Sequence, residues 1–165
     1  MKYIYIAGFD VFKQNSLELG AAYVELCKKY GYIGLYPLDN IVDFSQPKQT
    51  IAQEIFFANK AMIEKADILI ANLNSFRGKE PDSGTVWECG YGFGLGKQVY
   101  GYVDSLKEYK SIFSKEETTI KNGTVYDLNK MVVEDFGYRL NLMLSCSVTK
   151  LVEGGFEDVV KGLSV

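Results

Sequence analysis

The run Ile68-Leu69-Ile70-Ala71 constrains the fold more than any other segment, because a strand apolar on both faces must be covered on both sides. Strands of that kind belong to parallel sheets, and the rest of the chain has the matching rhythm. Tyr3–Ala7 is β-branched and aromatic and ends at Gly8. Between Lys13 and Tyr30, Leu17, Ala21 and Val24 recur at helical spacing. Tyr32–Tyr36 reads as a second strand, closed by Pro37-Leu38-Asp39-Asn40. Ile51, Ile55, Ala58 and Met62 mark one face of a second helix, a further helix starts near Ser83 or Thr85, and Gln98–Val103 forms another strand. The alternation predicts an α/β fold: a flavodoxin-like three-layer sandwich with a mostly parallel sheet of about five strands. The 165 residues suffice for one such domain spanning 1–165. Residues 105–135 break the rhythm with charged sequence and a turn at Lys121-Asn122-Gly123-Thr124. They read as an insertion, a lid, or a helix with a surface loop.

Composition narrows the chemistry. The chain has no histidine, which removes Ser-His-Asp and Cys-His nucleophile systems, HExxH zinc sites and histidine bases together. Catalysis must then come from carboxylates, tyrosines, lysines, thiols or a bound cofactor. Eighteen Lys and Arg against 21 Asp and Glu leave a net charge of −3, poor support for binding a nucleic acid polymer. No apolar run reaches the roughly 18 residues of a membrane span. Met1–Tyr5 reads directly as a strand with no room for a signal peptide, and Cys27, Cys89 and Cys146 are odd in number and widely spaced. These features predict a cytoplasmic protein without a disulfide framework.

Open parallel sheets bind ligands where the loops gather at the carboxyl ends of the strands. Here those loops are Gly8–Phe12, Pro37–Asn40 and Asn72–Asp82, the last continuing polar and glycine-punctuated to Glu88. The series Gly90, Gly92, Gly94, Gly96 invites a dinucleotide reading, but Leu95 and Lys97 stand where GxGxxG needs glycine. It fits better a helix packed closely on the sheet, with Gly96 at its C-cap. Thr85-Val86-Trp87-Glu88 matches a capping box, which would occupy Glu88 at the helix start; its place on the ligand face equally suits a catalytic carboxylate. Cys89 reads as packing, and Tyr5 as a core tyrosine with a satisfied hydroxyl. Arg77 and Lys79 read as a phosphate clamp or as solvated surface.

Taken together, these residues resemble the nucleoside 2-deoxyribosyltransferases. The likeness runs from Tyr5-Ile6-Ala7-Gly8 and Val11-Phe12 through Pro37-Leu38-Asp39-Asn40, Asn59 and Ile63–Leu73. It continues in Phe76-Arg77-Gly78-x-Glu80-Pro81-Asp82-x-Gly84-Thr85-x-x-Glu88 and ends in Asn141-Leu142-Met143-Leu144. The resemblance implies double displacement at the anomeric carbon of a 2′-deoxynucleoside, with free nucleobases as co-substrates and no cofactor or metal. Glu88 would be the nucleophile, Tyr5 the hydroxyl that orients it, and Asp82 an acid near sugar and base. Phe12, Asp39, Asn40, Asn59, Arg77 and Gly84 would contact substrate. Asn141 and Met143 would come from a neighbouring subunit, so a homo-oligomer is expected. Some related sequences have aspartate where this chain has Asn59, a position that contacts the base; an amide cannot deliver a proton at neutral pH. Asn72 likewise stands where related sequences often have aspartate. The rival readings are a 2′-deoxynucleoside 5′-monophosphate N-glycosidase on the same fold and a non-catalytic nucleoside-binding protein. A flavin site fits poorly, because Gly8–Phe12 lacks a hydroxyl-rich phosphate cradle.

Overall fold

The computed structural model describes residues 1–163. The chain winds β1 (Tyr3–Ala7), α1 (Ser16–Lys29), β2 (Ile33–Leu35), α2 (Lys48–Lys65), β3 (Ile68–Asn72), α3 (Ser83–Gly94) and β4 (Gln98–Val103). An antiparallel hairpin follows, β5 (Thr118–Lys121) and β6 (Thr124–Asp127), then α4 (Leu142–Ser147), β7 (Lys150–Glu153) and α5 (Phe156–Leu163). The main sheet has five strands in the order β2-β1-β3-β4-β7, and every neighbouring pair is parallel. β3 is central and buried along its whole length, as its two apolar faces demand.

Side-chain alternation divides the core into two. Tyr5, Ala7, Leu69 and Ala71 point to one face, where they pack with Ile63 of α2, Cys89 of α3 and Leu144 of α4. Ile4, Ile6, Ile68 and Ile70 point to the other, against Cys27 of α1 and Phe156 and Val159 of α5. Each such aliphatic side chain contributes about 1.5–3 kcal/mol when fully buried. The result is the expected helix–sheet–helix sandwich, and it places Tyr5 on the α3 side.

Of the stripe that the sequence suggests for α1, Val24 packs against the core while Leu17 and Ala21 stay exposed. Gly20 and Cys27 are its buried residues, while Leu17 is 69% exposed. Gly20 lets the Tyr36 ring lie against the helix backbone: a Cβ there would sit 2.2 Å from the ring. α3 closes as anticipated at Gly96, with φ of +73°; Gly96 N–H donates to Phe93 O (2.9 Å) and Lys97 N–H to Gly92 O (3.0 Å). Gly92 rests on the sheet, since a Cβ there would meet Leu69 Cδ2 at 2.7 Å, whereas Gly90 and Gly94 face open space. Residues 105–135 hold short 3-10 turns and the hairpin β5–β6 rather than a long helix. Asn122 and Gly123, both at positive φ, make its two-residue turn.

Candidate active site

The three anticipated loops meet around a cavity of about 670 Å³ at the carboxyl end of the sheet. The first loop supplies Gly8, Val11 and Phe12, the second Pro37, Leu38 and Asn40, and the third Asp82, Gly84, Thr85 and Glu88. α2 contributes Ile55 and Asn59; Leu17, Val42 and Phe44 complete apolar walls.

Two carboxylates on α3 take different roles because of where the helix starts. Asp82 is the N-cap: its Oδ2 accepts from Thr85 N–H (2.9 Å) and from the Thr85 hydroxyl (3.0 Å). The capping box with Thr85 as cap is therefore not formed, because the cap lies three residues earlier, at Asp82, and the helix begins at Ser83. That frees Glu88, six residues after the cap, to reach the cavity. There its Oε1 accepts a 2.5 Å hydrogen bond from the hydroxyl of Tyr5, whose side chain crosses from β1. Burial pushes the Glu88 carboxyl up to about 7; the negative charge of Asp82 acts in the same direction, and the Tyr5 hydrogen bond opposes both. Burial, and then the charge of Glu88, drives the Tyr5 phenol far above its ordinary range, so it remains a protonated donor.

The remaining predicted residues divide into two groups. Phe12, Asn40, Asn59 and Gly84 line the cavity together with Asp82 and Glu88. Asp39 lies exposed in a 3-10 turn and is not part of the wall. Arg77 is absent from the wall as well: at φ of +50° it lays its guanidinium over the rings of Phe76 (4.6 Å) and Phe12 (5.5 Å). Phe12 itself stacks on Phe76 at 5.4 Å. Lys79 is not on the wall either; its ammonium donates to Ile112 O and to Glu117, both at 2.9 Å. Asn141 caps α4 by accepting from Leu144 N–H (3.1 Å), Met143 is 73% exposed, and neither lines this chain's cavity.

Asp10 escapes a reading by motif. It is almost wholly buried beneath the first loop, accepting from Asn72 Nδ2 (2.9 Å) and the Tyr102 hydroxyl (3.3 Å) and pairing with Lys13 (2.6 Å). It ties the loop that carries Val11 and Phe12 to the ends of β3 and β4; an acid one residue from two apolar neighbours was its faint signal. Among the described residues, no group of His, Cys, Asp and Glu side chains is placed to hold a metal ion.

Residues 4–143 match the family model for nucleoside 2-deoxyribosyltransferase, a span that contains every predicted site residue from Tyr5 to Met143. The chain belongs to this family. Among solved structures it is similar to a 2-deoxyribosyltransferase from Leishmania mexicana, with 32% identity, a TM-score of 0.78, and coverage of 99% of this chain and 97% of that one. A 2-deoxyribosyltransferase from Bacillus psychrosaccharolyticus shares the fold at 19% identity and a TM-score of 0.60, over 96% of this chain and 90% of that one. An uncharacterised Schizosaccharomyces pombe protein is 26% identical over 171 residues, covering 94% of this chain and 80% of that protein. Among the described residues of this nucleoside 2-deoxyribosyltransferase family member, no helix is long and apolar enough to cross a membrane.

Proposed function

We propose that this protein transfers a 2-deoxyribosyl group between nucleobases through a covalent ester on Glu88. The observation that carries the reading is a carboxylate on the cavity wall, relieved of helix capping by Asp82 and held by the Tyr5 hydroxyl. In the first displacement a Glu88 oxygen bonds to C1′ as the glycosidic bond breaks, and its electron pair leaves with the base. In the second, a ring nitrogen of another base attacks C1′ and the ester bond returns its electrons to Glu88. Two inversions give net retention. Asp82, on the same wall, positions the deoxyribose or hands a proton to the leaving base. A 2-deoxy sugar lacks the electron-withdrawing hydroxyl beside C1′, so positive charge develops there at lower cost.

The cavity lining includes no Lys or Arg among the described residues and does include Asp82. A 5′-phosphate would be repelled there, which favours nucleosides over nucleotides as substrates. In the same reading, Asn141 and Met143 of a second copy complete the cavity of the first.

The test is an assay of base exchange between deoxyinosine and adenine, run beside hydrolysis of dAMP. Exchange without dAMP cleavage is expected. A 2-fluoro sugar analogue, trapped and located by mass spectrometry, should modify Glu88. An adduct elsewhere, or exchange that persists undiminished in Glu88→Ala, would overturn the reading.

A further inference from the structure

Phe12 lines the cavity yet is 59% exposed, so core packing does not hold its ring in place. What anchors its loop is a carboxylate driven beneath it: Asp10, two residues earlier, is 2% exposed. Asp10 Oδ1 pairs with Lys13 (2.6 Å), and Oδ2 accepts from Asn72 Nδ2 (2.9 Å) and from the Tyr102 hydroxyl (3.3 Å). Asn72, the last residue of β3, is buried as well. The other hold on the loop is aromatic: Phe9 and Phe12 both stack on Phe76 of the third loop, at 5.1 and 5.4 Å.

Each polar contact beneath the loop has one allowed polarity. Asn72 Oδ1 accepts from the backbone N–H of Asn74 (3.2 Å) and from Asn74 Nδ2 (3.0 Å). Asn74 Oδ1 in turn accepts from the backbone N–H of Asp104 (2.8 Å), just past the end of β4. A backbone N–H only donates, so the Asn72 atom facing Asn74 is oxygen and the atom facing Asp10 is nitrogen. A carboxylate paired with an ammonium only accepts, so Asp10 needs that nitrogen. Residue 72 must therefore donate on one side and accept on the other, which an amide does and a carboxylate does not. One chain of bonds thus joins the first loop, which carries Phe12, to the third, which carries Phe76.

We infer that Asp10 and Asn72 are a positioning pair whose matched acceptor and donor set where Phe12 stands in the cavity wall, and through it how tightly substrate is held. The effect on substrate rests on the reading of this cavity as a nucleoside site; the placement of the loop does not. Neither residue lines the cavity or is bonded to Tyr5 or Glu88, so the pair acts on affinity and leaves the displacement at C1′ alone. Complementarity, rather than charge, is what the pair supplies. In Asn72→Asp two buried carboxylates face each other. In Asp10→Asn the new amide turns its N–H groups either to the Lys13 ammonium or to the Asn72 amide nitrogen, donor against donor. Exchanging the two residues restores every pairing. The amide at position 10 then donates to residue 72 and to the Tyr102 hydroxyl and accepts from Lys13, while the carboxylate at position 72 accepts from Asn74.

The experiment compares the unaltered protein with Asn72→Asp, Asp10→Asn and the double exchange. It measures steady-state transfer from deoxyinosine to adenine and, independently of activity, hydrogen exchange of the amides of residues 8–13. Each single variant should raise KM for deoxyinosine about tenfold or more while kcat changes little, and the loop amides should lose protection. The double exchange should return both readings to within about threefold of the unaltered protein. If Asn72→Asp does not fold, Asp10→Asn, which removes a buried charge instead of adding one, and its rescue by the second exchange carry the same test. Single variants with unchanged KM, a loss confined to kcat, or a double exchange no better than the worse single variant would overturn the pair. Lost protection that the double exchange restores, in a protein that transfers no deoxyribose at all, would uphold the placement of the loop and overturn the nucleoside reading.

Discussion

Tyr5 and Glu88 divide one task between strand and helix. In the proposed reaction the carboxylate must be ionised to attack carbon, yet burial has brought its titration up to about 7. The ionised fraction of the free protein, and with it the rate, should therefore rise as pH increases through that value and level off above it. The Tyr5 hydrogen bond favours the charged form, so removing it raises the carboxyl further. Tyr5→Phe should accordingly shift the rising limb of the kcat/KM profile to higher pH and lower the plateau on the order of tenfold or more, since the nucleophile also loses its guide. A profile identical to that of the unaltered protein would show that the bond serves packing alone.

At the scale of elements, α3 is fixed by its cap and by one close approach to the sheet. Gly92→Ala inserts a methyl group against the fully buried Leu69, and overpacking of this kind costs about 1–3 kcal/mol. The gain in helix propensity returns only about 1 kcal/mol. Gly90→Ala, with nothing near its missing Cβ, keeps that gain. Thermal unfolding of the two variants should therefore move in opposite directions. Elements of this sort were largely legible in the sequence: β3 announced itself by its two apolar faces, and Gly96 by its place after a helical run. The start of α3 was ambiguous between Ser83 and Thr85 because Thr85-Val86-Trp87-Glu88 satisfies the capping-box pattern, while the folded chain uses Asp82 as the N-cap instead. The buried face of α1 was read only in part, at Val24, for a different reason. Leu17 walls the cavity, and periodicity cannot separate an apolar residue that faces a cavity from one that faces the core. The positive φ of Arg77 and the pairing of Asn40 with Asn59 depend on backbone geometry and on contacts remote in sequence, so no motif carried them.

The whole molecule raises the question of how many copies make one working site. Asn141 and Met143 stand outside this chain's own cavity, and the proposed function has them complete the cavity of a second copy. Asn141→Ser keeps a side-chain oxygen for the α4 cap and removes the amide. It should be nearly inactive, as should Glu88→Ala. Mixing the two variants and allowing subunits to exchange should recover part of the activity, because some cavities then combine an intact Glu88 with an intact Asn141. Recovery no greater than the sum of the separate variants would place Asn141 outside the chemistry.

The segment between β4 and α4 reaches back to the third loop: Lys79 binds Ile112 O and Glu117, the Tyr109 hydroxyl donates to Glu80, and Asp104 N–H donates to Asn74. A loop moored at three points has surrendered most of its conformational entropy when the chain folds, not when a nucleoside arrives. Capture should then resemble entry into a rigid vestibule, with affinity diminished little by ordering of the walls.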